Sequence, residues 1–123
     1  MPNPVVRWQI LSPDADRTAG FYEKLFSWKL TNANAMGYRE LSTKEERSID
    51  GGVWPAPAAD KSMVQLFIEV SDIDAAINKA EKLGASVIVP KSVLPDGDAM
   101  AVLQDPTGLS FGICRLNGGN APH

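Results

Sequence analysis

Arg7 and Gln9 stand two residues apart in the run Val5–Leu11, and Gln65, Phe67 and Glu69 stand two apart in Met63–Val70. Both runs are rich in β-branched and aromatic residues, the composition of strands, and a strand sends alternate side chains to opposite faces. Arg7 and Gln9 therefore share a face, and Val6, Trp8 and Ile10 share the other. Gln65, Phe67 and Glu69 likewise oppose Val64, Leu66, Ile68 and Val70. A guanidinium, two amides, a carboxylate and a ring could hold an anionic or polar-aromatic small molecule, with Trp54 as a further aromatic wall. The same groups could also do proton chemistry, with Glu69 or Asp50 as general base and Arg7 as partner of an oxyanion. On these residues alone the face is either a wet sheet surface or the wall of a cleft.

Other chemistries find little support. The one histidine, His123, is the last residue, and the one cysteine, Cys114, has no histidine to activate it. There is no G-x-S-x-G, G-x-G-x-x-G, P-loop or C-x-x-C. Gly51-Gly52 and Gly118-Gly119 lack the strand-to-helix setting of a phosphate cradle. The acidic pairs Asp14/Asp16 and Asp72/Asp74 fall where helices start, so they read as caps and dipole partners rather than as a carboxylate site. Trp8, Trp28, Phe21 and Phe26 read as core.

The elements that position these residues repeat. A shift of 58 residues carries Asp14, Asp16 and Glu23-Lys24-Leu25 onto Asp72, Asp74 and Glu81-Lys82-Leu83. In the first unit, about residues 4–55, a strand Val5–Leu11 leads through Ser12 or Asp14 as cap into a helix. Its apolar face is Ala15, Ala19, Tyr22, Leu25 and Phe26. Strands are expected at Trp28–Asn32, Tyr38–Ser42 and Ser48–Trp54, with turns at Asn32–Gly37 and Thr43–Arg47. In the second unit, about 62–116, Asp72 caps a helix with apolar face Ile73, Ala76, Ile77, Ala80 and Leu83, and Gly84 stops it. Strands follow at Val87–Val93, Met100–Gln104 and Leu109–Arg115, with turns at Leu94-Pro95-Asp96-Gly97 and Asp105-Pro106-Thr107-Gly108. Pro55–Ser62 links the units, and Asn117–His123 reads as a frayed tail. Each unit is βαβββ, and the apolar strand faces, Val64 and Leu66 included, are expected to pack on the helices.

Composition sets the outer bounds. A chain of 123 residues with 44% hydrophobic and 22% charged residues has the make-up of one globular domain, here residues 1–123. Net charge is −3, with 7 basic and 8 acidic groups in residues 1–60 and 5 and 7 in residues 61–123. No basic block is present, so neither nucleic acid nor a membrane is an expected partner. With no long apolar run, no signal-like start and a lone cysteine, a cytoplasmic setting is expected.

The duplicated βαβββ order, the string Asp14-x-x-x-x-Ala19-x-Phe21-Tyr22-x-x-Leu25-Phe26-x-Trp28, the Gly51-Gly52 pair and Asp105-Pro106-x-Gly108 resemble the vicinal oxygen chelate superfamily. That superfamily includes glyoxalase I, bleomycin and fosfomycin resistance proteins and extradiol dioxygenases. The likeness is greatest to small bacterial lactoylglutathione-lyase-related members and runs from Val5 to Arg115. It implies an α+β fold: two βαβββ units form a curved, mostly antiparallel sheet around a cleft, with helices outside, often completed in a homodimer. It also implies a divalent metal held by His, Glu or Gln from the first and last strands of both units. Seven residues before Asp14 and Asp72, those positions fall on Arg7 and Gln65. The last-strand positions fall on Gly112 and near Gly52, where Asp50 is the nearest carboxylate. Arginine repels a cation, glycine has no donor and glutamine is a weak one. The expectation is therefore a protein without metal or cofactor, with catalytic residues unassigned. Its ligand site would comprise Arg7, Gln9, Trp54, Gln65, Phe67 and Glu69. Its role would be sequestration, as in the resistance proteins; the alternative is a lyase, isomerase or metal-dependent glyoxalase-related enzyme.

Overall fold

A computed structural model describes residues 2–31, 37–95 and 97–116. It contains β1 (Val5–Ser12), α1 (Ala15–Phe26), β2 (Lys29–Thr31), β3 (Arg39–Ser42), β4 (Gly51–Pro55) and β5 (Met63–Glu69). These are followed by α2 (Ile73–Lys82), β6 (Ser86–Val93), β7 (Ala99–Gln104) and β8 (Ser110–Arg115). The architecture is α+β with two βαβββ units, as the resemblance implies. The expected turn at Asn32–Gly37 lies mostly outside the described residues. So do Asp96 of the next turn and the tail Asn117–His123, with Gly118-Gly119 and His123.

The chain forms two compact bodies, one of residues 6–65 and the other of residues up to 5 with those from 66 onward. In the first, strands hydrogen-bond in the order β2-β3-β4-β1, antiparallel except for the parallel pair β1/β4. In the second the order is β5-β8-β7-β6, again antiparallel except for the parallel pair β5/β8. The repeat is visible in the helix starts. Asp14 accepts from Arg17 N at 3.2 Å and Asp72 accepts from Ala75 N at 3.0 Å, each satisfying an otherwise orphaned donor. Asp16 and Asp74 then pair with Arg39 at 2.9 Å and Lys91 at 3.0 Å. Both acidic pairs are thus structural. Gly84 takes the left-handed stop after α2 with φ +99°.

Each body has its own core. Ala15, Ala19, Leu41 and Val53 are buried together, with Trp8, Ile10, Tyr22, Trp28 and Leu30 against them. Ile73, Ala99, Ala101, Leu103 and Ile113 form the second core, flanked by Ala76, Ile77, Ala80 and Phe111. Several expected core residues are not in either. Phe21 and Leu25 are each 57% exposed and Phe26 52%. At about 100° per residue, Leu25 and Phe21 sit about 80° and 120° away from Ala15, off the face that docks. Phe26 lies on that meridian but in the last turn, where it rests on Tyr22 and Trp28 rather than under a strand. Leu83 is exposed as the residue beyond the end of α2, and Leu109 as part of the turn before β8.

Val64 and Leu66 overturn the expectation for β5: they are 58% and 50% exposed, whereas Gln65 and Phe67 are buried at 3% and 4%. The buried clusters show where they do not go. One joins α1 to β1, β2, β3 and β4 and the other joins α2 to β7 and β8, and neither includes a residue of β5. Val64 instead borders a cavity beside α1.

Candidate functional site

Within residues 6–65, Trp8 and Ile10 turn to α1, so Arg7 and Gln9 occupy the opposite face of β1. The β1/β4 register sets Gln9 beside Gly52 and Leu11 beside Trp54. Leu41 and Val53 are in the core, so Tyr38 and Glu40 of the β3 segment and Trp54 of β4 face the same way as Arg7. Gln9 Nε2 donates to Gln65 Oε1 at 3.3 Å, and both amides are buried. Arg7, Gln9, Trp54 and Gln65 are therefore brought to one face, Arg7 exposed, Trp54 half-buried and both amides buried. Tyr38 joins them, a residue that sequence reasoning used only as a strand start.

Tyr38 is the hub of this face. Its ring fills the space that a Cβ on Gly52 would need. The Arg7 guanidinium carbon stands 5.8 Å from the ring centroid, and the Trp54 ring lies 4.9 Å away, tilted by 37°. Burial pushes the Tyr38 hydroxyl up to about 12; Glu40 and Asp50 reinforce the rise, which outweighs the lowering by Arg7 and its hydrogen bond. The phenol is therefore neutral at any physiological pH, a donor and not a base. Arg7 itself is exposed, and it takes no part in the ion pairs formed among the described residues. The sequence held one signal for Tyr38: a glycine inside a strand marks a close approach. Only the register shows which ring approaches.

Phe67 and Glu69 belong to the second body. Phe67 lies opposite Gly112, and its ring fills the place of a Cβ there. It is a packed side chain rather than an exposed wall, and Glu69 is half-buried opposite Cys114. The main chain of Glu69 is held by Pro4 O and by Asn3 Nδ2. Cys114 is buried, with its sulfur 3.9 Å from Ile68 O.

These registers show which residue of the first unit corresponds to Gly112, a ligand position that the resemblance implies. The 58-residue shift carries Gln9 onto Phe67; Gln9 lies beside Gly52 as Phe67 lies beside Gly112. Gly52, not Asp50, is thus the counterpart of Gly112. Asp50 instead accepts from Ser42 Oγ at 3.1 Å and Thr43 N at 3.2 Å, in the loop before β4. The four positions hold a guanidinium, an amide and two glycines whose Cβ space is taken by rings. That donor set does not fit a divalent metal. Among the described residues no group of three His, Cys, Asp or Glu is placed to hold one either.

A cavity of about 470 Å³ lies on the other face of the 6–65 unit, between Ile10 of β1, Thr18, Phe21 and Tyr22 of α1, and Met63 and Val64 of β5. None of the expected ligand residues lines it. Among the described residues no helix is long and apolar enough to cross a membrane.

Comparison with known proteins gives the same picture. The Glyoxalase-like domain family matches residues 8–114. CFP32 of Mycobacterium tuberculosis, a candidate glyoxylase by its name, is 26% identical over 110 residues. That match spans 85% of this chain but 42% of the relative, so the chain is under half the length of its curated relatives. A methylmalonyl-CoA epimerase in complex with methylmalonyl-CoA superposes with TM-score 0.68 at 14% identity, covering 98% of this chain and 99% of that one. The Streptomyces coelicolor epimerase bound to 2-nitronate-propionyl-CoA superposes with TM-score 0.63 at 14% identity, covering 92% and 96%. At such identities the likeness is one of fold.

Proposed function

The chain belongs to the glyoxalase-like domain family, within the vicinal oxygen chelate superfamily, and from that premise we propose that it is a metal-independent binder of small anions. Arg7 is the anchor, with Gln9 and Gln65 as polar partners and Trp54 as apolar wall. One observation carries the reading. The two last-strand ligand positions that the resemblance implies, Gly52 and Gly112, are closed by the rings of Tyr38 and Phe67, and a first-strand position is a cationic arginine, Arg7. A guanidinium in place of a cation keeps the site's attraction for anions without the metal's Lewis acidity. Sequestration of a small molecule, as in the resistance proteins, needs no more than this.

Two properties accompany the reading. A homodimer is proposed on the exposed apolar side chains Phe21, Leu25, Phe26, Met63 and Val64, which are more than a soluble surface ordinarily shows together. A reducing, cytoplasmic setting is proposed on the lone, buried Cys114. A second reading, an isomerase or lyase with Glu69 or Asp50 as base, is favoured by the epimerases among the fold neighbours. It is weakened by the two hydrogen bonds that tie Asp50 into its loop.

The test is a thermal-shift panel of divalent metals and of acetate, benzoate, sulfate and phosphate, with elemental analysis of the purified protein. Stabilisation by at least one anion in the presence of a chelator, with no stoichiometric metal, is expected. About one tightly held Ni, Zn, Fe or Mn per chain, retained through dialysis, restores the metalloenzyme reading.

A further inference from the structure

We infer that the Arg7 face of the 6–65 unit takes a planar aromatic carboxylate, met by Arg7 along the guanidinium edge and by Trp54 and Leu11 against its ring. The inference rests on the anion-binding reading and names its ligand class. A guanidinium has two flat faces and a rim of in-plane donors. The guanidinium carbon of Arg7 stands 5.8 Å from the Tyr38 ring centroid and one of its donors goes to the Tyr38 hydroxyl, which leaves the remaining donors for the ligand. A carboxylate matches that rim with two parallel hydrogen bonds.

The charges on this face select against phosphate. β1, β3 and β4 bring to it one cation, Arg7, together with the Glu40 carboxylate. Asp50 is close enough that both acids act on the Tyr38 hydroxyl. Attraction to Arg7 and repulsion from the two acids both scale with the charge on the ligand, so with two acids to one cation a dianion is less favoured than a singly charged carboxylate. The apolar part of this face lies beyond Tyr38, whose ring meets Arg7 on one side and Trp54 on the other. Leu11 and Trp54 are register neighbours, both half-buried, and Trp54 leans on Tyr38. A ligand ring placed there buries area that acetate lacks. Tyr38 is a positioning residue: seated on Gly52, it fixes both Arg7 and Trp54 and is itself 6% exposed.

Titration calorimetry on the full chain with benzoate, acetate and inorganic phosphate tests this. Benzoate is expected to bind about tenfold or more tighter than acetate or phosphate. Trp54→Ala should bring benzoate down to the acetate level and leave acetate unchanged. Arg7→Lys should weaken both carboxylates, since an ammonium lacks the paired rim donors. Tyr38→Phe, which keeps the ring, should retain the benzoate preference. Tyr38→Leu should lose it, with circular dichroism and the unfolding midpoint checking that the variant is folded. Because Tyr38→Leu could fail to fold, Trp54→Ala stands as the independent arm. Phosphate or acetate binding as tightly as benzoate through Arg7 overturns the aromatic class and leaves the anion reading intact. No binding of any of the three at millimolar concentration overturns both.

Discussion

Tyr38 packs against Gly52, Arg7 and Trp54 together, and its titration is the most direct report on that packing. Its hydroxyl is pushed from 10.0 up to about 12, so the folded state favours the neutral phenol. The resulting stability is fully present below pH 10 and is lost as pH rises from about 10 through 12. A shift of that size corresponds to about 2–3 kcal/mol. Chemical unfolding at pH 9 and pH 11.5 should show that loss in the native chain and a much smaller one in Tyr38→Phe. Equal losses in both would mean that Tyr38 is not the group responsible. The glycines make a second prediction. Gly112→Glu drives a side chain into the Phe67 ring and should destabilise by about 1–3 kcal/mol or more, as overpacking does. Added Zn²⁺ or Ni²⁺ should not recover the loss, since Arg7 and Gly52 still occupy ligand positions. A metal-dependent rise in the urea midpoint of that variant would count against the account of the site.

At the scale of elements, the two helix starts are the same device used twice. Asp14→Ala and Asp72→Ala should each cost about 1 kcal/mol, read from denaturant midpoints. A negligible cost at either would show that its cap is replaced by another acceptor. The caps, the helix at 73–82, the Gly84 stop and the Asp105 turn were legible in the sequence because each depends on contacts a few residues apart. In that turn Asp105 accepts from the Thr107 hydroxyl and from Leu109 N and Thr107 N, which holds its carboxyl below the usual range. The faces of β1 were legible for the same reason, since parity alone puts Arg7 opposite Trp8. What was not legible depends on register and docking. Tyr38 meets Gly52 only through the β3/β4 pairing, and the loop before β4 lies where a strand from Ser48 was expected. Val64 and Leu66 alternate like a buried strand, yet neither of the two core clusters includes them. Nothing local distinguishes a covered apolar face from a bare one.

At the scale of the whole molecule, exposed apolar side chains set the expectation for assembly. Phe21, Met63 and Val64 border the same cavity and are 57%, 49% and 58% exposed. Light scattering at micromolar concentration should give twice the chain mass of 13.3 kDa. Val64→Asp should shift it to one chain mass, because a carboxylate in a closed apolar interface is costly. A native chain that is monomeric throughout contradicts the dimer and leaves the Arg7 face untouched.

The central claim, a fixed arginine as anion anchor in place of a metal, is tested most directly by unfolding midpoints of the native chain and Arg7→Ala. Both are measured in a chelator, with and without the anion that stabilises the native chain most. Arg7 is exposed, so its truncation should leave intrinsic stability within about 1 kcal/mol while abolishing the rise caused by the anion. A loss of roughly 3 kcal/mol or more with the anion response unchanged would instead make Arg7 half of a structural pair and contradict the claim.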